Sequence, residues 1–128
     1  MKIPEENTKE AIDIRRKIIS TQLSKLIDKS IYCPCLGVKV IVVRKSITEI
    51  ATWASRRFES TVAAIDLENQ LRIARFYAKT DPKPGQKKRF KFISMYELHG
   101  TLNAKTTKIM VGVRNCGTYL QYCITVKE

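Results

Sequence analysis

The chain has a single histidine, His99, and only five glycines in 128 residues. A two-histidine acid and base pair is therefore impossible, and the glycines do not gather into a phosphate-binding loop. Serine nucleophile elbows and paired-carboxylate motifs are missing as well. No apolar run approaches the roughly 18 residues that cross a bilayer. The first ten residues lack the basic, apolar and small-residue zones of a secretory signal. A cytoplasmic protein without a membrane partner is the resulting expectation. Neither an internal repeat nor a low-complexity segment is present, so one domain over 1–128 is expected.

Acidic side chains are scarce too. Twelve Asp and Glu face twenty-four Lys and Arg, a formal net charge of +12, which exceeds what solubility requires. The excess is local: between Arg75 and Lys91 seven basic side chains meet one acid, Asp81. Nucleic acid is the commonest partner for such a surface, ahead of membranes, and the competing view is a basic protein with no specific ligand.

The four cysteines suggest zinc only until distance is considered. Cys116 and Cys123 lie seven residues apart on one hairpin arm, about 23 Å at strand rise, too far to share an ion. Cys33 and Cys35 have one residue between them, whereas zinc knuckles use two to four. Free thiols are expected, with no metal and no cofactor.

Local patterns assign the elements. Asn7 to Glu10 has the form of a capping box, and Ile12, Ile19, Leu23 and Leu26 follow at helical spacing, predicting a helix over 8–28. Arg15, Arg16, Lys17 and Lys25 fall on its solvent side. Tyr32 to Gly37 reads as a turn and Val38 to Val43 as a strand. Ser46 to Glu49 repeats the capping pattern and opens a helix with Ile47, Ile50, Ala51, Ala54 and Phe58 inward. A further helix covers 60–73, with Val62, Ile65 and Leu71. Arg75 to Lys79 suits a short strand, and Asp81 to Gly85 breaks regular structure.

In the last forty residues period-two alternation dominates. Phe90, Phe92, Ser94, Tyr96 and Leu98 share one face of a strand, leaving Arg89, Lys91, Ile93, Met95 and Glu97 on the other. A hairpin closed at Cys116-Gly117 sets Arg114 opposite Tyr119, Val113 opposite Leu120, Val111 opposite Tyr122 and Ile109 opposite Ile124. A second turn through Gly100 to Asn103 brings Arg89 near Arg114 and Lys91 near Gly112. One face of this sheet then lies buried under the helices.

In this register the open face collects cations and an aromatic ring, a combination suited to single-stranded RNA, which is favoured over DNA. The expected contacts are Lys87, Lys88, Arg89, Lys91, Lys108, Arg114, Tyr119 and Gln121. His99, beside the Gly100 turn, could act with Lys108 and Thr125 at the far end, although a lone turn histidine is more often structural.

The order of elements (a basic helix, the segment from Ile31 to Val38, a strand, the SITEI helix, a helix running into ARFYAKT, the KFISMYELHG strand and a closing hairpin) resembles the phage and mobile-element nuclease-like domains of the barnase/EndoU/colicin/RelE-like superfamily. The resemblance implies an α+β fold with N-terminal helices packed on one face of a curved antiparallel sheet of about four strands, metal-independent cleavage of RNA in a bacterial host cell, and a host or antitoxin protein as a further partner. It also implies catalysis by Arg114, Tyr119, Arg89 and Lys91, which are similar in kind to the Arg, Lys and Tyr of the RelE type. Members often carry a histidine near the position of Tyr122-Cys123, which this chain lacks. That departure keeps open a catalytically degenerate module that binds nucleic acid or a host protein, or a virion-associated protein.

Overall fold

The computed structural model describes residues 2–127. In chain order these form α1 (Lys9–Ser24), β1 (Ser30–Cys33), β2 (Val38–Ile41), α2 (Arg44–Ala54), α3 (Phe58–Ile65), α4 (Leu67–Ile73), β3 (Arg75–Thr80), α5 (Pro84–Phe90), β4 (Phe92–Leu102), β5 (Lys105–Arg114) and β6 (Tyr119–Val126). The six strands make one sheet in the order β1-β2-β6-β5-β4-β3. Every pair is antiparallel except β2 with β6, which is parallel.

The α+β class agrees with the sequence, while the sheet is larger and mixed rather than four-stranded and antiparallel. β1 has little strand signal of its own, being four residues long and directly before the 34–37 turn. The parallel pair involves only Val40 with Tyr119 and Ile41 with Leu120, a long-range meeting that no local pattern announces.

Thr8, one residue past the expected cap, accepts a hydrogen bond from the Ala11 amide at 3.1 Å and starts α1. Arg15 does not sit on the solvent side. It is 0% exposed, and its guanidinium donates to the carbonyls of Ser55, Pro4 and Glu6. α2 begins at Arg44, earlier than expected, with the Ser46 hydroxyl reaching back to the Val43 amide. The 60–73 helix is two helices, broken at Asp66.

One face of the sheet carries the main core. Ile19 and Leu23 of α1, Ile50 and Ala54 of α2, Ala63 and Ala64 of α3, and Leu67 and Leu71 of α4 pack there against Leu98, Ile109, Val111 and Ile124. Burying a Leu or Ile side chain contributes roughly 1.5–3 kcal/mol, so this layer accounts for most of the fold's stability. Where β2 ends, α2 and α3 take over the flank of β6, and the Ser60 hydroxyl accepts from the Val126 amide that a further strand would otherwise have paired.

The opposite face is partly covered. Pro84 starts α5, so Arg89 and Phe90 belong to a helix and not to the following strand. Phe90 stacks on Phe92 with ring centroids 5.0 Å apart, and these rings join Met95 and Leu120 in a second core. A bulge between Phe92 and Ser94 turns Phe92 away from the Tyr96 and Leu98 face. Its ring lies over Gly112, where an added Cβ would sit 2.5 Å from it. The β4 to β5 turn is at Asn103 and Ala104, both left-handed (φ 51° and 65°), not at Gly100, so His99 lies inside β4.

Candidate nucleic-acid interface on the open sheet face

Of the residues expected to form one catalytic group, Arg89, Lys91 and Arg114 lie at the C-terminal end of α5, and Tyr119 is turned to the other face of the sheet. Arg114 is a helix cap: its Nε donates to the Phe90 carbonyl at 2.9 Å, while Lys45 Nζ reaches the Arg89 carbonyl at the same end of α5. These cations oppose the negative C-terminal end of the helix. Arg89 pairs with Glu49 at 3.1 Å. Lys91, left-handed at φ 62°, ends α5 and is exposed, as are Lys87 and Lys88.

Tyr119 and Gln121 lie on the other face. Met110 pairs with Cys123 and Val111 with Gln121, so Tyr122 is an extra residue in β6. Beyond this bulge the register differs by one from the expected one, and the side chains of Tyr119 to Tyr122 change face, whereas Cys123 to Val126 keep theirs. Tyr119 packs on the main core beside Tyr96, with centroids 5.8 Å apart. Gln121 is 0% exposed and donates to the carbonyls of Met110 and Cys123. Lys108 stays on the open face, paired in register with His99 and Thr125.

Around Lys108 the structure assembles a different group. Glu97 and His99 are two residues apart on β4 and share the open face, with His99 Nε2 and Glu97 Oε2 2.6 Å apart. The Tyr77 ring stacks on the imidazole at 4.0 Å and 21°, and Lys127 Nζ lies 5.3 Å from the Tyr77 ring centre. A hollow of about 620 Å³ opens here, lined by Arg57, His99, Lys105, Thr106 and Lys127. It is mainly cationic. Glu59 holds Lys105 at 3.5 Å and Glu97 lies 4.0 Å from Lys127.

A second cleft, also about 620 Å³, runs from Glu97 and Lys108 toward Trp53, Tyr122, Lys83 and Gln86. Its far wall is organised by Glu49. That buried carboxylate accepts from Trp53 Nε1 at 2.7 Å and Tyr122 Oη at 3.1 Å, besides pairing with Arg89. Burial pushes the Tyr122 pKa up, opposed by a hydrogen bond with Gln86 and aided by the Glu49 charge. The phenol therefore stays protonated and donates.

Chemically, the face offers a positioned imidazole, ammonium and guanidinium groups for an anion, and aromatic rings. The signal for Glu97 and His99 was present in the alternation of YELHG. Placing the turn at Gly100 moved His99 to the strand end and hid it. The link to Tyr77 crosses the β3 bulge and has no local signature.

No protein-family model, curated protein or solved structure matches this chain. Among the described residues no helix is long and apolar enough to cross a membrane.

Proposed function

We propose that the open sheet face binds single-stranded RNA and cleaves it without a metal, as a nuclease-like domain of phage or mobile-element origin would. The observation that carries this reading is the Glu97–His99 pair set among Lys108, Lys127 and Arg57. Attack of a ribose 2′-hydroxyl on its phosphate needs a base, stabilisation of the phosphorane and an acid for the departing 5′-oxygen. His99, with its ring oriented by Glu97 and Tyr77, takes the 2′ proton. Lys127 and Arg57 oppose the charge that develops on phosphate, and the Lys108 ammonium protonates the leaving oxygen. Exposed Lys87, Lys88 and Lys91 extend the phosphate track along α5.

A second reading, binding without turnover, is favoured by the packing of His99 between Tyr77 and Glu97, which leaves its side chain 14% exposed. Labelled single-stranded RNA incubated with the protein in EDTA separates the two. The first expects cleavage that His99→Ala lowers by at least about a hundredfold, with affinity kept. Salt-sensitive binding to intact RNA selects the second, and absence of binding removes both.

A further inference from the structure

Trp53 is the single tryptophan of the chain, and 46% of it is exposed. An exposed indole usually samples several rotamers, but this one is held at two points. Its Nε1 is bonded to buried Glu49, and the Arg56 guanidinium carbon stands 4.2 Å from its ring centre. Glu49 is in turn fixed by Tyr122 and Arg89. The protein thus commits a buried carboxylate to orienting an aromatic ring that it leaves open to solvent.

The ring forms one wall of the second cleft, together with Met95 and Met110, while Lys83 and Lys108 contribute ammonium groups beside the carboxylates of Asp81 and Glu97. A flat, apolar, oriented ring in a cleft that also holds two ammonium groups matches one chemical unit, a planar heterocycle carrying phosphates. We propose that this cleft is a nucleobase subsite, in which one base of a single strand stacks on Trp53 while its flanking phosphates meet Lys83 and Lys108. The subsite rests on the reading of the open face as an RNA surface. It adds where the strand is gripped: Glu97, which lines this cleft, also holds His99, so a base at Trp53 leads the adjoining phosphate toward the imidazole. Purines overlap an indole more than pyrimidines do, so adenine is preferred over uracil.

The test uses the full chain and 2′-O-methylated oligo(A) and oligo(U) of about ten nucleotides, a length within single-strand site sizes. The methyl groups block internal attack and keep the ligand intact. Anisotropy of a labelled oligonucleotide reports binding, and Trp53 emission reports stacking. Oligo(A) is expected to quench the emission and to bind more tightly than oligo(U). Trp53→Ala lowers oligo(A) affinity about ten- to hundredfold and abolishes the preference, whereas Trp53→Phe keeps most of both. Binding by anisotropy with unchanged Trp53 emission, or with wild-type affinity in Trp53→Ala, overturns the subsite and leaves the RNA reading standing. No anisotropy change in the wild type overturns both. The emission readout needs no variant, so it holds even where Trp53→Ala fails to fold.

Discussion

Val111 of β5 pairs with Gln121 of β6 while its neighbour Met110 pairs with Cys123, leaving Tyr122 without a partner across the ladder. This offset sends Leu120 and Tyr122 to the second core and turns Tyr119 and Gln121 toward the helices. The Gln121 amide holds the bulge by bridging the carbonyls of Met110 and Cys123.

Gln121→Ala should therefore cost about 1–3 kcal/mol, the penalty for stranding buried carbonyls. Urea denaturation measures it. A loss within about 0.5 kcal/mol, typical of neutral surface changes, would show that the bulge does not depend on this side chain.

Arg15 joins the N-terminal segment to the α2–α3 junction through three carbonyls. Removing the guanidinium leaves these carbonyls without their donor, at about 1–3 kcal/mol for each one left unsatisfied, together a large part of a small domain's total stability. Arg15→Ala is expected to lower the thermal midpoint sharply. Arg15→Lys should recover only part of the loss, since one ammonium cannot reproduce the guanidinium fork. Equal midpoints for Arg15→Lys and the wild type would contradict this role.

Cys123 forms part of the cleft lining, where burial pushes its thiol up from 9.0 to about 12. The folded form thus keeps a proton that the unfolded chain releases. Stability from this group is full below about pH 9 and is lost as pH rises toward 12, by about 1.4 kcal/mol per pH unit. Urea midpoints measured from pH 8 to 11 should fall more steeply for the wild type than for Cys123→Ala. Parallel curves would exclude Cys123 from the alkaline transition.

Cys116 shows the opposite behaviour. The Thr118 hydroxyl lies 3.2 Å from its sulfur, and that hydrogen bond lowers the pKa of this exposed thiol. More thiolate near neutral pH means faster alkylation. With iodoacetamide at pH 7.5, Cys116 should label first and Cys33, Cys35 and Cys123 slowly, and Thr118→Val should slow the first phase. Uniform labelling of all four would contradict the assignment.

The start of α1, the strand character of the last forty residues, the Cys116-Gly117 turn and the cationic stretch before Lys91 were legible in the sequence. Each rests on residues within a few positions of one another: a capping hydroxyl, an alternation, a glycine at φ 89°, a run of charge. Asp81 to Gly85 was half legible, because Pro84 that ends one element also begins α5.

What only the tertiary structure decided is which side of the sheet each side chain meets. A bulge follows from the fit of two strands and the core between them, so the one at Tyr122 could not be read from β6 alone. Arg15 is polar by type and buried by circumstance, since the carbonyls that satisfy it arrive from residues 4, 6 and 55. Tyr77 likewise joins Glu97 and His99 only when β3 pairs with β4. Patterns within one element record its own periodicity, whereas a site on a sheet face is made by the registers between elements, and those were settled by packing.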